Sequence, residues 1–242
     1  MSFFEKIIGN YGDVGLSNKR RRETWITNEV AQIPPGDSIL DAGAGERPYK
    51  KACRHLKYFS QDFAQYNGTG DGKGIQTGEW SNGGHDFVCD VTDIPVSDSS
   101  FDNVLCTEVL EHVPDPVQAF KELHRVVRPG GRIVITVPFN SITHFAPYHF
   151  CTGFSSYFFT HWSEQMRITV SSLIANGNYF EYLAQEVRYM SQVGKKYNNA
   201  KLRFRENVAQ RLILSFLQRN SKLSSDTSEL QCFGYFYVGI KN

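Results

Sequence analysis

The run Ser38-Ile39-Leu40-Asp41-Ala42-Gly43-Ala44-Gly45-Glu46-Arg47-Pro48-Tyr49 constrains the fold more than any other part of this sequence. A short apolar stretch ends in a carboxylate, and two glycines follow with one residue between them. Pro48 can then open the next element, because its fixed φ suits a first helical turn. Glycine reaches positive φ without strain and lets another group approach where a Cβ would stand. A strand that ends in such a turn is how an α/β unit begins, and the next hundred residues repeat the alternation.

A helix is expected from Ser17 or Asn18 to Ile33, closed by Pro34-Pro35-Gly36. The first strand covers Asp37 to Ala42, and residues 48–55 are expected to be helical. A second strand, Tyr58 to Gln61, ends at Asp62. Phe87-Val88-Cys89 forms a third, ending at Asp90, and Phe101 to Cys106 a fourth. Asp115-Pro116 opens an amphipathic helix with Val117, Phe120, Leu123, Val126 and Val127 on one face, closed by Arg128-Pro129-Gly130-Gly131. Arg132 to Val137 is a buried fifth strand. Further on, a helix to Ala175, a strand near 179–187, a basic helix around 195–219, a solvated loop over 221–229 and a last strand at 233–240 are expected. Between the second and third strands, seven of the 22 residues 64–85 are glycine. A connection of that length is functional or disordered more often than not.

Alternating strands and helices imply a parallel sheet covered on both faces. Ligands of such sheets sit beyond the carboxyl ends of the strands, at the switch point. Asp41, Asp62, Asp90 and Thr107 all stand at those ends and are expected to converge on one crevice.

What binds there is narrowed by elimination. A phosphate-binding loop needs Gly-x4-Gly-Lys-Ser/Thr, which is absent. A dinucleotide turn, Gly-x-Gly-x-x-Gly, needs glycine where this chain has Pro48. Asp41 just before the glycines disfavours an anion and favours a cation. A ligand with an amino group, a ribose and an adenine but no phosphate fits these residues.

The ordered set Ile39–Gly45, Asp62, Asp90, Phe101–Val113 and Arg128–Arg132 resembles the class I S-adenosylmethionine-dependent methyltransferases, in the type 11 branch of small-molecule and quinone-biosynthesis enzymes. The resemblance spans roughly residues 35–140. It implies an α/β, Rossmann-like doubly wound fold with a mostly parallel seven-stranded sheet and an antiparallel last strand. It also implies one methyltransferase domain over 1–242. Residues 1–35 form its helical approach, 36–140 the cofactor-binding half, and 141–242 the substrate side with the final strands. S-adenosyl-L-methionine is the implied cofactor. Asp41, Ala42, Gly43 and Gly45 would pass beneath its methionine part, with Asp41 near the ammonium. Asp62, 21 residues after Asp41, would take both ribose hydroxyls, since a carboxylate offers two acceptors. Phe63 would pack on the adenine, Asp90 would accept its exocyclic amine, and Val91 would wall it. Thr107 and Glu108 would border the methionine end. Asp102 is expected to be structural, and Glu111-His112 to be helix-terminus packing. Two departures stand out. Arg47 takes the place of a frequent third glycine, and the 64–85 connection is long.

The segment Pro138 to Phe150 leaves a central strand where the methyl would lie. His144 and His149 are therefore the candidates for a base or an acceptor-orienting group, because imidazole titrates near neutrality. A structural role between aromatics is the competing reading of each. No metal site is expected: the five cysteines lack a CxxC pair, and no Asp/Asn cluster accompanies His144. Many of the 18 Phe and 12 Tyr fall after residue 139, to line a pocket or to fill a core.

A small-molecule acceptor is the leading expectation, a hydroxyl of a sugar, a glycan or another biosynthetic intermediate. RNA or protein methylation is the alternative, through Lys19–Arg22 and the Lys195, Lys196, Lys201, Arg203, Arg205, Arg211 group. A non-catalytic cofactor-binding protein is the other. The net charge of +1 gives no global pull toward nucleic acid or membrane. The opening MSFFEKIIGNYG has no apolar core, and no apolar run reaches the ~20 residues of a membrane span, so a cytoplasmic enzyme is expected.

Overall fold

A computed structural model describes residues 11–81, 83–223 and 227–242. The first ten residues, on which the reading of the N-terminus rests, and residues 224–226 lie outside that set; where a loop is expected over 221–229, residues 221–223 end a helix and 227–229 form a 3-10 turn. In chain order the elements are α1 (Asn18–Ala31), β1 (Ser38–Ala42), β2 (Lys57–Asp62), β3 (Phe87–Val88), β4 (Phe101–Thr107), α2 (Pro116–Val126), β5 (Val127–Pro138), α3 (Ser156–Gln165), β6 (Ile168–Asn176), α4 (Tyr179–Asn198), α5 (Phe204–Leu223) and β7 (Gly234–Lys241). The seven strands form one sheet in the order β3-β2-β1-β4-β5-β7-β6. Neighbours from β3 to β5 run parallel, and β7 is antiparallel to β5. This is the expected doubly wound sheet. Its strand order reverses direction between β1 and β4.

The first four strands and α2 fall where the residue pattern puts them. Asp115 caps α2 by accepting the Gln118 amide proton, and Pro116 follows at the first helical position. Ala119, Phe120, Leu123 and Val126 are all fully buried. Each such side chain contributes on the order of 1.5–3 kcal/mol for the larger ones. Asp102 is structural, as expected: it accepts from both the amide (2.7 Å) and the hydroxyl (2.7 Å) of Ser38 and is paired with Arg128. It thereby ties the starts of β1 and β4.

Several expectations fail. Residues 48–55 are a run of turns, not a helix, with Lys50, Ala52 and Leu56 donating three residues back. Arg47 enters that run with φ of 57°, which sets a turn before a helix can propagate. Arg128 to Gly131 do not close α2 but already belong to β5, whose register against β4 is irregular there. The expected helix to Ala175 stops at Gln165, and the β-branched run Ile168-Thr169-Val170 starts a strand. Residues 179–187 are helix, not strand. Asn178 accepts the Glu181 amide proton, and a cap of that kind settles a run that could be either. The basic stretch is split in two at Asn199, which adopts a left-handed conformation (φ 50°) at the end of α4.

The chain divides into two compact units. The larger, residues 22–174 with 234–242, holds nearly all of the sheet. One side of its core joins Ile26, Val30 and Ile33 to Ile39, Leu105 and Val134. Phe120, Phe159 and Tyr237 pack as an aromatic set within the same unit, with the Tyr237 hydroxyl bonded to Ser163 Oγ at 2.7 Å. In the smaller unit, residues up to 21 with 175–233, Val14 packs with Ala184, Val187, Leu214 and Leu217, and Arg21 grips Glu181 through two bonds of 2.7 and 2.8 Å. No helix among the described residues is long and apolar enough to cross a membrane.

Candidate active site

The carboxyl ends of β1 to β4 lie side by side, and the side chains there are held by short local ties. Gly43 (φ 71°) and Gly45 (φ 49°) carry the turn after β1. A Cβ on Gly43 would stand 2.4 Å from a Val109 methyl, so the segment after β4 and this turn can approach only through glycine. Gln61 fastens the same turn: its backbone carbonyl takes the Gly43 and Ala44 amide protons at 2.9 Å, and its side-chain amide donates to the Cys89 carbonyl at 2.6 Å.

Asp62 is nearly buried. One of its oxygens accepts the Gly45 amide proton at 2.9 Å and the other that of Ala64 at 2.8 Å. The carboxylate thus links the β1 turn to the end of β2. Asp41 is sealed further in, 1% exposed, and accepts the Tyr58 hydroxyl at 2.6 Å. Burial pushes its carboxyl up to about 7; the Tyr58 bond works against that and nearby Asp62 adds to it. Ala42 is fully buried.

Phe63 meets the Tyr148 ring edge-on at 4.9 Å. Asp90 is exposed, and one of its oxygens accepts from the amide (2.9 Å) and hydroxyl (2.7 Å) of Thr92, while Val91 is buried beside it. Thr107 ends β4. Glu108 follows with φ of 54° and pairs with Arg22 of α1 at 2.7 Å. The structure therefore ties Gly45 to Asp62 and Gly43 to Gln61, with Asp41 held by Tyr58 near enough to Asp62 to feel its charge, whereas Asp90 bonds within its own turn.

The long glycine-rich connection is packed over this region. Tyr66 stacks on Phe145 at 4.5 Å, and Trp80 meets both rings edge-on. The Tyr66 hydroxyl donates to Gln76, Gly74 backs onto the Thr143 carbonyl, and Ile75 bridges to His144. Arg47, the residue in the third-glycine position, donates to the Gly83 and Gly84 carbonyls and so anchors the far end of the connection. The aromatic-rich segment thus divides: Phe154 and Phe159 are buried in the core, while Phe145 packs on Tyr66 and Trp80 of the glycine-rich connection.

His144 and His149 do lie together, with ring centroids 4.9 Å apart, and His112 joins them at 4.7 and 6.1 Å. Burial, followed by the charge of neighbouring His144, holds His112 down to about 3, and the same two causes lower His149. Glu111, wholly buried next to His112, has neither carboxylate oxygen hydrogen-bonded, and burial with nearby Glu108 raises its pKa. Sequence reasoning set His112 aside as packing and did not single out Trp80. A lone tryptophan inside a glycine-rich run was the available signal for the second. For His112 none exists in the local sequence, because its neighbours come from some thirty residues away.

Comparison with known proteins finds a methyltransferase likeness over part of the chain. Residues 40–135 match the family model described as a methyltransferase domain. A demethylmenaquinone methyltransferase of Clavibacter sepedonicus is 35% identical over 128 residues, 50% of this chain and 49% of that protein. Cycloartenol-C-24-methyltransferase 1 of Oryza sativa subsp. japonica is 32% identical over 119 residues, 46% of this chain and 33% of that one. The chain spans between a third and somewhat over half of the length of the first curated relatives it matches. Among solved structures, Haemonchus contortus phosphoethanolamine N-methyltransferase 2 in complex with S-adenosyl-L-methionine superposes with a TM-score of 0.52 at 16% identity, covering 98% of this chain and 56% of that one. The [4+2]-cyclase SpnF gives 0.55 at 14% identity, covering 94% and 83%.

Proposed function

We propose that the chain, whose residues 40–135 match a methyltransferase-domain model, is a class I S-adenosylmethionine-dependent methyltransferase that transfers a methyl group to a hydroxyl of a small molecule, a sugar, glycan or other biosynthetic intermediate. The observation that carries this reading is the tie between Asp62 and Gly45 at the end of two adjacent strands. It sets a two-oxygen carboxylate beside a turn that a Cβ would fill, next to the point where the strand order reverses. Such a cradle fits a ribose diol and an uncharged backbone approach far better than a pyrophosphate.

When bound, S-adenosylmethionine supplies the methyl as an electrophilic carbon on a positive sulfur. In this reading Asp62 takes the ribose hydroxyls, Phe63 and Val91 flank the adenine, and Asp90 receives its amine. Gly43 and Gly45 admit the methionine part, and Asp41 lies beneath the turn, where a bound ammonium would draw its carboxyl toward the ionised form. Thr107 and Glu108 bound the methyl end, with Glu108 held in place by Arg22. His144 and His149 face the acceptor, orient its hydroxyl and receive its proton as the new carbon–oxygen bond forms. Phe145, Tyr66 and Trp80 offer flat apolar surface for a sugar or ring. Most of the acceleration comes from holding the two reactants in line. Relatives named for demethylmenaquinone and cycloartenol methylation favour a small acceptor over RNA or protein.

The test is methyl transfer from labelled S-adenosylmethionine to a panel of glycosides, nucleotide sugars and quinols, with RNA and protein as comparison acceptors. A labelled small-molecule product is expected. Asp62→Ala should weaken S-adenosylhomocysteine binding by calorimetry at least ~10-fold, since a charge-assisted pair of hydrogen bonds is lost. Unchanged affinity in a folded Asp62→Ala protein overturns the cofactor assignment, and label only in RNA or protein overturns the acceptor class.

A further inference from the structure

The three imidazoles of His112, His144 and His149 form a cluster that acid–base chemistry alone does not explain. One ring nitrogen from each lies within 4.8 Å of the other two. They come from two separate segments, the 3-10 turn after β4 and the chain leaving β5, so their meeting is a product of the fold and not of local sequence.

The outer ring nitrogens are already arranged. His112 Nδ1 is 2.5 Å from the Tyr148 carbonyl oxygen, and His144 Nδ1 is 2.9 Å from that of Ile142. A carbonyl only accepts, so Nδ1 carries the proton in both rings. In a neutral imidazole this leaves Nε2 with a free lone pair, the form in which histidine ligates a metal. His149 is partly buried and neither of its ring nitrogens has a hydrogen-bond partner. Beside the cluster, Glu111 Oε1 stands 3.7 Å from His112 Nε2, in a carboxylate that is fully buried and has no hydrogen-bond partner on either oxygen. Buried polar groups left unpaired are costly, and so is a buried negative charge without a counter-ion. Phe145 stacks on His112 at 5.0 Å and keeps the ring plane fixed.

We propose that His112, His144 and His149 bind a first-row divalent cation of the zinc class through one nitrogen each, leaving a fourth position open. Three imidazoles and an open position are the donor set of a catalytic zinc site, and imidazole suits this group of metals. Zinc–nitrogen bonds of about 2.0–2.1 Å require the rings to close from the present spacing by small side-chain rotations. Glu111 lies beside the site, 3.7 Å from His112 Nε2, as an acidic group next to the bound cation. On the reading that the protein methylates a hydroxyl, the fourth position takes the acceptor oxygen. The cation then lowers the pKa of that hydroxyl, whose proton passes to bulk water as the methyl carbon leaves sulfur for oxygen, and the imidazoles hold the metal instead of taking the proton themselves.

The experiment uses the full chain stripped of metal with a chelator. Cobalt(II) is titrated in and followed by its visible absorption, and zinc(II) is measured by competition with a chromophoric chelator. About one equivalent of each is expected, with the intense cobalt bands of a four-coordinate site. His112→Ala, His144→Ala and His149→Ala should each weaken binding at least ~10-fold, while His161→Ala on α3 leaves it unchanged. Far-UV circular dichroism and S-adenosylhomocysteine binding check that the variants are folded, and His149→Gln serves where an alanine variant is not. Wild-type protein that takes up no cobalt or zinc overturns the proposal, as does a folded triple variant that binds as well as wild type. Metal uptake is read without any acceptor, so bound metal with no methyl product leaves the site standing and rejects the methylation reading instead.

Discussion

The indole of Trp80 lies against the backbone of Gly45, so closely that a Cβ there would stand 2.7 Å from Cζ2. The same glycine donates its amide proton to Asp62. The turn is therefore covered on one side and tied on the other.

Gly45→Ala should fail on two counts. Its φ of 49° costs an L-residue roughly 1–2 kcal/mol, and the methyl displaces the indole. Calorimetry should show S-adenosylhomocysteine affinity at least ~10-fold lower. In the wild type, binding should change tryptophan emission, and Trp80→Phe should abolish that change although Trp25 and Trp162 remain. An emission change that persists in Trp80→Phe would detach the indole from the cofactor face.

Asp41 should write its burial into the pH dependence of stability. Its carboxyl ordinarily titrates near 3.8 and in the fold is pushed up to about 7. The folded state thus holds the proton more tightly than the unfolded one. The contribution is fully present below about 3.8 and is lost as pH rises through about 7, a loss on the order of a few kcal/mol. Asp41→Asn cannot ionise. Urea midpoints measured without cofactor should therefore diverge between pH 5 and 8, with the variant gaining on wild type as pH rises. Parallel curves would mean that Asp41 is not the buried acid described here.

Asp102→Ala removes the acceptor of both the Ser38 amide and the Ser38 hydroxyl and the partner of Arg128. The expected cost is about 1–3 kcal/mol, since a backbone donor at the start of β1 loses its partner. Urea unfolding should report it, while cofactor affinity stays within about 2-fold of wild type. A large affinity loss with unchanged stability would give Asp102 a binding role.

Much of the fold was legible because its first half obeys local rules. Asp115-Pro116 announces a helix, the apolar runs at 38–42 and 101–107 announce strands, and the order of strand and helix dictates a parallel sheet. The failures are places where local signals tie. Tyr179 to Val187 is apolar enough for a strand, and only the Asn178 cap decides for a helix. Pro48 invites a helix, yet Arg47 sits at positive φ and points its guanidinium at Gly83 and Gly84, a partner more than thirty residues away. The site divides the same way. Asp62 and the glycines follow from strand ends, whereas the approach of His112 to His144 and His149 depends on how two loops cross.

One topological fact has a consequence for how the chain becomes a protein. β7, the last strand in the sequence, is not at the edge of the sheet but between β5 and β6. Strand β6 is therefore made some sixty residues before the neighbour that holds it exists. Until Gly234–Lys241 slots in, β5 and β6 both present open edges, of the kind that recruit strands from other chains. Crowding during synthesis, more than heat afterwards, is then the hazard this architecture meets first.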